Sequence, residues 1–496
     1  MGHMVGKDVY RELGRKIDGL ITRAPWNETF HAILKELYTT EEADLVTRMP
    51  YGMASLDKIA RLTGYDKARL QTLLDGLCEK GLVLDIDAKD RYLYTISPLI
   101  VGIFEFTMMR TRGELNTKEW ARLFHKYLND PDTFYRANCN HGERVSPLRT
   151  LPHEGTIADE EFVEILDYEK ATAIVEGAKK FVIGICSCRH EKLHLGQKTC
   201  DVPLETCSTL GASADLMIRH GFGKEVSREE MLENIARSRE MGLVLCADNV
   251  KKNISFICHC CGCCCNVLLG VSRFGYPNTV VTSNYIAKVD DDACSECGTC
   301  VDICPVNAII MSNGNGTPNL SPSAGAPPFR VGLDSGVKPT ASGGPPHLSP
   351  SASHLSPSAK AGGPDSRKKP SASSGPPSRS LSHLSPSAKA GGPSGPVINE
   401  KLCLGCGVCA LECTTGSMRL VPRAQRVLTP EDTFERVILQ ALERGTLQNL
   451  LFDNPQNTSH GFMRAFVGGF LKLPPVKKSL MSDTLRSRFL TFMRRG

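Results

Sequence analysis

The apolar positions of this chain change period several times along its length. Over residues 28–38 they recur at helical spacing. Ser55 opens a short helix, 56–62, that ends at Gly64. Asp66 caps the next, in which Leu70, Leu73, Leu74 and Leu77 line one face up to Gly81. Strand-like stretches then take over: 82–86 and 91–96 predict a hairpin around Asp87–Asp90. Residues 98–155 read as mostly helical. From 156 to 288 the pattern is mixed. Residues 181–185 form a short strand delivering Cys186, Ser227-Arg-Glu-Glu230 is a capping box opening a helix, and 242–245 and 254–257 read as strands. Residues 429–451 are helical, and beyond Gly461 two basic helical pieces flank Pro474-Pro475.

The order helix, helix, hairpin before residue 97 resembles the winged helix of bacterial regulators. Its charge argues against DNA. Over 51–97 seven basic residues meet seven acidic ones, and the hairpin itself carries Asp85, Asp87 and Asp90. DNA binding needs a net basic face to neutralise phosphates, so a structural or protein-docking role is expected. Residues 312–396 are dominated by Ser, Pro, Gly and Ala and repeat themselves: His354-Leu-Ser-Pro-Ser358 recurs as His383-Leu-Ser-Pro-Ser387. Such a composition buries no core and is expected to stay disordered.

Two cysteine runs carry the chemistry. The first is Cys294, Cys297, Cys300 and Cys304, followed by Pro305; the second is Cys403, Cys406, Cys409 and Cys413. Both have the C-x2-C-x2-C-x3-C spacing of a bacterial two-cluster ferredoxin, in which the last cysteine of each run serves the other cluster. The expectation is therefore two [4Fe–4S] clusters, one held by Cys294, Cys297, Cys300 and Cys413, the other by Cys403, Cys406, Cys409 and Cys304. Thr414 stands where proline often follows the last cysteine; that position gives no ligand. The insert falls between the runs, which is tolerable because each doubling of loop length costs only about 0.6 kcal/mol.

Eleven more of the 21 cysteines lie between Cys186 and Cys265, in Cys186-Ser-Cys188-Arg189-His190, at Cys200, Cys207 and Cys246, and in the run 258–265. This set resembles that of an uncharacterised group of bacterial proteins which join a cysteine-rich domain to a dicluster ferredoxin domain, over roughly residues 156–420. Cys188, Cys200, Cys207, Cys258, Cys260 and Cys261 are the candidate metal ligands. Thiolate-only donors suit a third iron–sulfur cluster or zinc, and both stay open. Cys78 and Cys139 are isolated and read as packing residues.

The fold expected is α+β: a winged-helix-like domain (1–97), a helical connector (98–155), a cysteine-rich α/β domain (156–288), a ferredoxin domain split into 289–311 and 397–425 by the insert (312–396), and a basic helical tail (426–496). The formal charge of +5 is segregated. The stretch 312–396 carries +6 and 464–495 carries +7, which leaves the body acidic at −8. The start is charged and lacks an apolar signal core, so a reducing cytoplasm is the expected location. No GxGxxG, Walker A or haem-attachment motif is present. Together these features point to single-electron transfer within a larger redox complex, as a component of an oxidoreductase rather than a stand-alone enzyme, with a redox protein as partner. An iron–sulfur redox-sensing regulator and an oxidoreductase with a catalytic cysteine site are the alternatives. The tail, with Phe462, Phe466 and Phe470 four residues apart among basic residues, suits either an anionic membrane surface or packing on the acidic body.

Overall fold

A computed structural model of the chain describes residues 8–113, 115–139, 144–157, 166–313 and 394–495. Helix and strand are mixed throughout, as an α+β chain requires. Most of the segment read as the insert lies outside the described residues.

At the N-terminal end the helices Val9–Asp18, Glu28–Leu37 and Thr40–Arg48 pack through Leu13, Ile17, Phe30, Leu34 and Leu45. Thr39 and Glu42 form a reciprocal capping box at the third. Strand β1 (Ala54–Ser55) leads into helix Leu56–Thr63, which Gly64 ends at φ 75°, a left-handed conformation that favours glycine. Helix Lys67–Glu79 follows, capped by Asp66 and burying Leu70, Leu73, Leu74 and Leu77. Strands β2 (Val83–Asp87) and β3 (Tyr92–Ile96) complete a three-stranded antiparallel sheet in the order β1-β3-β2.

The connector is not wholly helical. Helix Thr117–Asn129 is followed by a strand, β4 (Leu148–Leu151), all four of whose residues are buried. With no exposed face it shows no alternation, which is why its sequence does not announce it. It forms the edge of a six-stranded sheet with β5 (Phe181–Ile185), β6 (Glu205–Leu210), β7 (Gly223–Val226), β8 (Val244–Asp248) and β9 (Phe256–Cys260), ordered β4-β8-β9-β6-β5-β7 and antiparallel throughout. The helix Arg228–Glu240 begins at the expected capping box of Ser227 and Glu230.

Two antiparallel ladders come next. β10 (Tyr285–Val289) pairs with β13 (Met418–Pro422), so this region starts a few residues before 289. β11 (Ile309–Asn313) pairs with β12 (Ser394–Ile398), and the last pair is Asn313 with Ser394. Ladder pairing thus takes residues 312–313 and 394–396 out of the insert. The chain leaves and returns at the open end of one ladder, which is how so long an insertion leaves both cysteine runs in register.

In the tail, Gly445 at φ 68° breaks the expected 429–451 helix into Thr433–Arg444 and Leu447–Leu451. Three helices follow instead of two: Thr458–Leu471, Pro474–Leu480 and Asp483–Arg495. Pro474 and Pro475 open the middle one, because proline at the first turn lacks only an N–H that has no helical partner anyway. None of the helices, among the described residues, is long and apolar enough to cross a membrane.

Candidate metal centres

The two ferredoxin-like runs are built alike. Cys300 lies in the short helix Thr299–Asp302 and Cys409 in Val408–Leu411. Each helix is entered through a glycine with positive φ, Gly298 at 81° and Gly407 at 86°. A Cβ on Gly407 would also lie 2.3 Å from Thr156 Oγ1, so the turn needs glycine twice over. The runs enclose two cavities. One is lined by Cys294, Cys297, Cys300 and Cys413. The other is lined by Cys304, Cys403, Cys406 and Cys409. In each, three thiols come from one run and the fourth from the other.

The cavities differ in exposure. Cys297 is exposed and Cys294, Cys300 and Cys413 are half-buried, whereas Cys403, Cys406 and Cys409 are buried. Backbone N–H groups already point at sulfur: Ala308 to Cys304 Sγ at 3.2 Å, Glu296 to Cys294 Sγ at 3.4 Å and Met418 to Cys413 Sγ at 3.4 Å. Burial raises the Cys304 thiol to about 11 and Cys406 to about 12. For Cys413 burial acts upward too, but hydrogen bonds from Ser417, the Met418 N–H and Thr415 outweigh it and bring the thiol down to about 7. Four sulfur donors per cavity, a mainly apolar lining and N–H groups aimed at the ligands suit a cationic iron–sulfur core, which supplies the charge that buried thiolates require.

The upstream cysteines form two groups. Cys200, Cys261, Cys263 and Cys264 have all four Sγ atoms within 4.8 Å of one another. The others make a string of thiol contacts: Cys186 with Cys207, Cys207 with Cys258, Cys258 with Cys260, Cys260 with Cys246 and Cys265, and Cys265 with Cys188. Most of this string lines a cavity of about 510 Å³, shared with Glu105, Arg189 and, from the tight group, Cys261 and Cys264. The six candidates from the sequence are therefore divided. Cys200 and Cys261 belong to the tight group, Cys207, Cys258 and Cys260 to the string, and Cys188 to its far end against Cys265. Cys263, Cys264, Cys265, Cys186 and Cys246 were not among the candidates. The order of thiols in 258–265 alone cannot say which lie on strand β9 and which lie past its end.

Arg189 is 0 % exposed. It donates to Pro203 O at 2.9 Å and to Thr206 Oγ1 and His259 O. Glu105 accepts from the Gly102 N–H at 2.9 Å, and burial raises its carboxyl to about 7 against the pull of that and neighbouring backbone N–H groups. His259, fully buried, lies between Ser208 Oγ (2.8 Å) and Ser238 Oγ (2.6 Å). His190 bonds Met108 O (2.6 Å) and His194 (2.9 Å). Both histidines thus have protein partners of their own. Cys78 and Cys139 are buried apart from these groups.

The ferredoxin-like region and the cysteine-rich domain touch. A Cβ on Gly262 would lie 2.9 Å from Pro305 O, so the turn between Cys261 and Cys263 packs directly on the backbone just after Cys304. In addition, the His153 N–H donates to Cys406 O at 3.0 Å.

Residues 287–310 match the family model of the 4Fe-4S binding domain, which contains the first cysteine run. The chain thus carries a 4Fe–4S binding domain, and iron–sulfur electron transfer is the chemistry that domain suggests. No curated protein and no solved structure matches the chain.

Proposed function

We propose that the chain is an electron-transfer component of a larger redox complex and binds two [4Fe–4S] clusters through crossed ligand sets. Cys294, Cys297, Cys300 and Cys413 hold one; Cys403, Cys406, Cys409 and Cys304 hold the other. The observation that carries this reading is that each cavity is lined by three cysteines of one run and the last of the other. When bound, such clusters supply reversible one-electron transfer. The protein's residues set where that transfer begins and ends. Exposed Cys297 opens the first site to a partner protein. Burial of Cys403, Cys406 and Cys409 keeps water from the second, and the N–H groups of Ala308 and Met418 stabilise negative charge on Cys304 Sγ and Cys413 Sγ, the ligands each run lends to the other's site. The Gly262–Pro305 contact extends the path into the cysteine-rich domain. There the string from Cys186 to Cys188 is the place for a third iron–sulfur centre, beside the 510 Å³ cavity.

The N-terminal helices and three-stranded sheet are a winged helix used for docking. Lys67 is paired with Asp57 at 2.7 Å, and Arg69 with Glu41, which leaves the helix Lys67–Glu79 little free positive charge for phosphates. In the tail, Phe462, Phe466 and Phe470 are 70 %, 68 % and 58 % exposed, so this face is free to meet an anionic membrane surface.

The test is anaerobic purification of the whole chain with iron and sulfide analysis, followed by EPR of Cys304→Ala and Cys413→Ala. At least two clusters, hence roughly eight irons, are expected. Cys304→Ala disturbs the signal of the cluster on Cys403, Cys406 and Cys409, and Cys413→Ala the other. Loss of the cluster nearest in sequence in each variant refutes the crossed assignment. A colourless protein without acid-labile sulfide after reconstitution refutes the reading as a whole.

A further inference from the structure

Four of the upstream thiols differ in kind from the rest. Cys200 lies on the loop between helix Ser187–His194 and β6, while Cys261, Cys263 and Cys264 lie in the turn that ends β9 and precedes helix Asn266–Ser272. Their sulfurs are 3.8 Å apart for Cys200 and Cys261, 3.9 Å for Cys200 and Cys264, and 3.5 Å for Cys263 and Cys264. Three of the four are buried, in a small cluster with Val202 and Leu243. We propose that Cys200, Cys261, Cys263 and Cys264 hold a single metal ion as a mononuclear tetrathiolate centre, separate from every iron–sulfur cluster of the chain.

Size decides between a single ion and a cluster. Four thiolates about 2.3 Å from one tetrahedral ion lie about 3.8 Å from each other. A [4Fe–4S] core stands between its ligands and holds their sulfurs roughly 6 Å apart. The observed spacings match the first arrangement. Among the described residues this is the one cysteine group whose sulfurs all fall within 4.8 Å of one another; neither ferredoxin-like set is so tight. The same contrast separates it from the thiol string along the cavity, which is extended.

Charge gives an independent reason. A divalent ion with four thiolates carries −2. Arg189 is a wholly buried cation, and its three acceptors are neutral: two carbonyls and a hydroxyl. Its Nε has no hydrogen-bond partner, and among the described residues no carboxylate pairs with it. A buried charge without a counter-ion is strongly unfavourable. Cys261 lies within reach of this guanidinium, with Cys186 and Cys207 also close. Cys261 also hydrogen-bonds the guanidinium, so an anionic thiolate centre there supplies counter-charge beside that of Cys186 and Cys207. Lys198, which donates to Cys200 O, adds a second cation beside the group.

The position gives the centre a role. Gly262, between two of the ligands, packs on Pro305, the residue after Cys304. Zinc there clamps the cysteine-rich turn against the buried ferredoxin-like cavity. Mononuclear iron in the same thiolate cage adds a one-electron site to that junction.

The experiment uses the whole chain, made in medium containing iron and zinc and purified without oxygen. Metals are counted by mass spectrometry beside acid-labile sulfide, and the site is read by X-ray absorption and Mössbauer spectroscopy. In the zinc arm, one zinc per chain shows four sulfur neighbours at about 2.3 Å and no metal neighbour. In the iron arm, one iron in excess of sulfide gives a mononuclear high-spin signature. Cys200→Ser and Cys263→Ser each lower that metal at least fivefold and leave acid-labile sulfide unchanged. Cys207→Ser leaves it in place. Should the variants fail to fold, the wild-type spectra decide alone. Wild-type protein with neither zinc nor mononuclear iron overturns the proposal. So does Cys200→Ser removing sulfide with the metal, which would make the site part of a cluster. Because sulfide is counted separately, failure of the two-cluster reading is told apart from failure of this one.

Discussion

Asp85 Oδ1 lies 2.8 Å from His220 Nε2 and 3.0 Å from Arg219 Nη2, so the hairpin strand β2 is gripped by the end of the helix Gly211–Arg219 in the cysteine-rich domain. Arg219 also donates to the Asp85 carbonyl at 2.7 Å and lies over the Tyr92 ring. All three side chains are mostly buried. Burial acts upward on the Asp85 carboxyl, but the His220 and Arg219 hydrogen bonds outweigh it and hold it below its usual value. A depressed carboxylate gives stability that is present above its unfolded value and lost as pH falls below it. Asp85→Ala is expected to cost about 2 kcal/mol at neutral pH, since it leaves two donors without their acceptor. Limited trypsin digestion checks it: cleavage after Lys89 or Arg91, at the hairpin tip, becomes several-fold faster in the variant. An unchanged rate would mean that the contact does not hold the hairpin down.

A lysine in the N-terminal core makes a pH signature of the same sign at higher pH. Lys16 is 3 % exposed, donates to Met49 O, and lies 3.5 Å over the Tyr51 ring. Burial, with the nearby Arg464 charge, lowers it to about 7 despite Asp453. Between that value and its unfolded value the unfolded chain binds more protons, so the Lys16 contribution to stability rises with pH. Lys16→Met removes this slope. Denaturation of both proteins from pH 6.5 to 10 should show the variant's advantage shrinking by up to about 1.4 kcal/mol per pH unit. A constant difference would show that Lys16 stays charged in the folded protein.

What the sequence made legible follows from how local each signal is. The Ser227–Glu230 capping box, the Gly64 stop and the Leu70–Leu77 stripe depend on residues within one or two turns, and the structure contains each of them. The ferredoxin-like runs are legible because ligand spacing is itself local. The upstream thiols are not. Six of them fall in residues 258–265, and which partner each meets depends on where β9 ends. Cys258 and Cys260, two apart on the strand, share a face. Cys261, Cys263 and Cys264 lie beyond its end and turn toward Cys200. Cys265 begins the next helix and meets Cys188. One residue's shift in the strand end would regroup all six. Cys200 is remote in sequence, and no periodicity announces its approach.

The ladder register at the insert makes another expectation quantitative. Asn313 and Ser394 are the last paired residues of β11 and β12. Replacing residues 314–393 by Asn-Gly closes the ladder with a two-residue hairpin turn whose twist suits antiparallel strands. The shortened protein is expected to keep the wild-type ratio of iron to sulfide and its EPR signals. Loss of more than half of the iron under anaerobic conditions would give the removed segment a part in holding the clusters.

The tail offers the last test. In helix Thr458–Leu471, Gly468 and Leu471 face inward, and Arg464 Nη1 donates to Phe452 O at 2.7 Å. Phe462 and Phe466 stack outward, their rings 6.4 Å apart and nearly parallel. Packing on the protein's own body therefore uses a different face from the phenylalanines, and Phe492 of the last helix is 71 % exposed as well. Exposed Lys472, Lys478 and Arg488 add positive charge to the tail. Each basic residue near an anionic surface contributes about 1 kcal/mol, and each inserted aromatic ring adds apolar transfer energy. Co-sedimentation with vesicles containing phosphatidylserine should show binding that falls at high salt. Phe462→Ser, Phe466→Ser and Phe470→Ser together should weaken it at least tenfold, while the iron content stays unchanged. Equal binding to neutral and anionic vesicles, or equal binding by the triple variant, would remove the membrane from the role of this face.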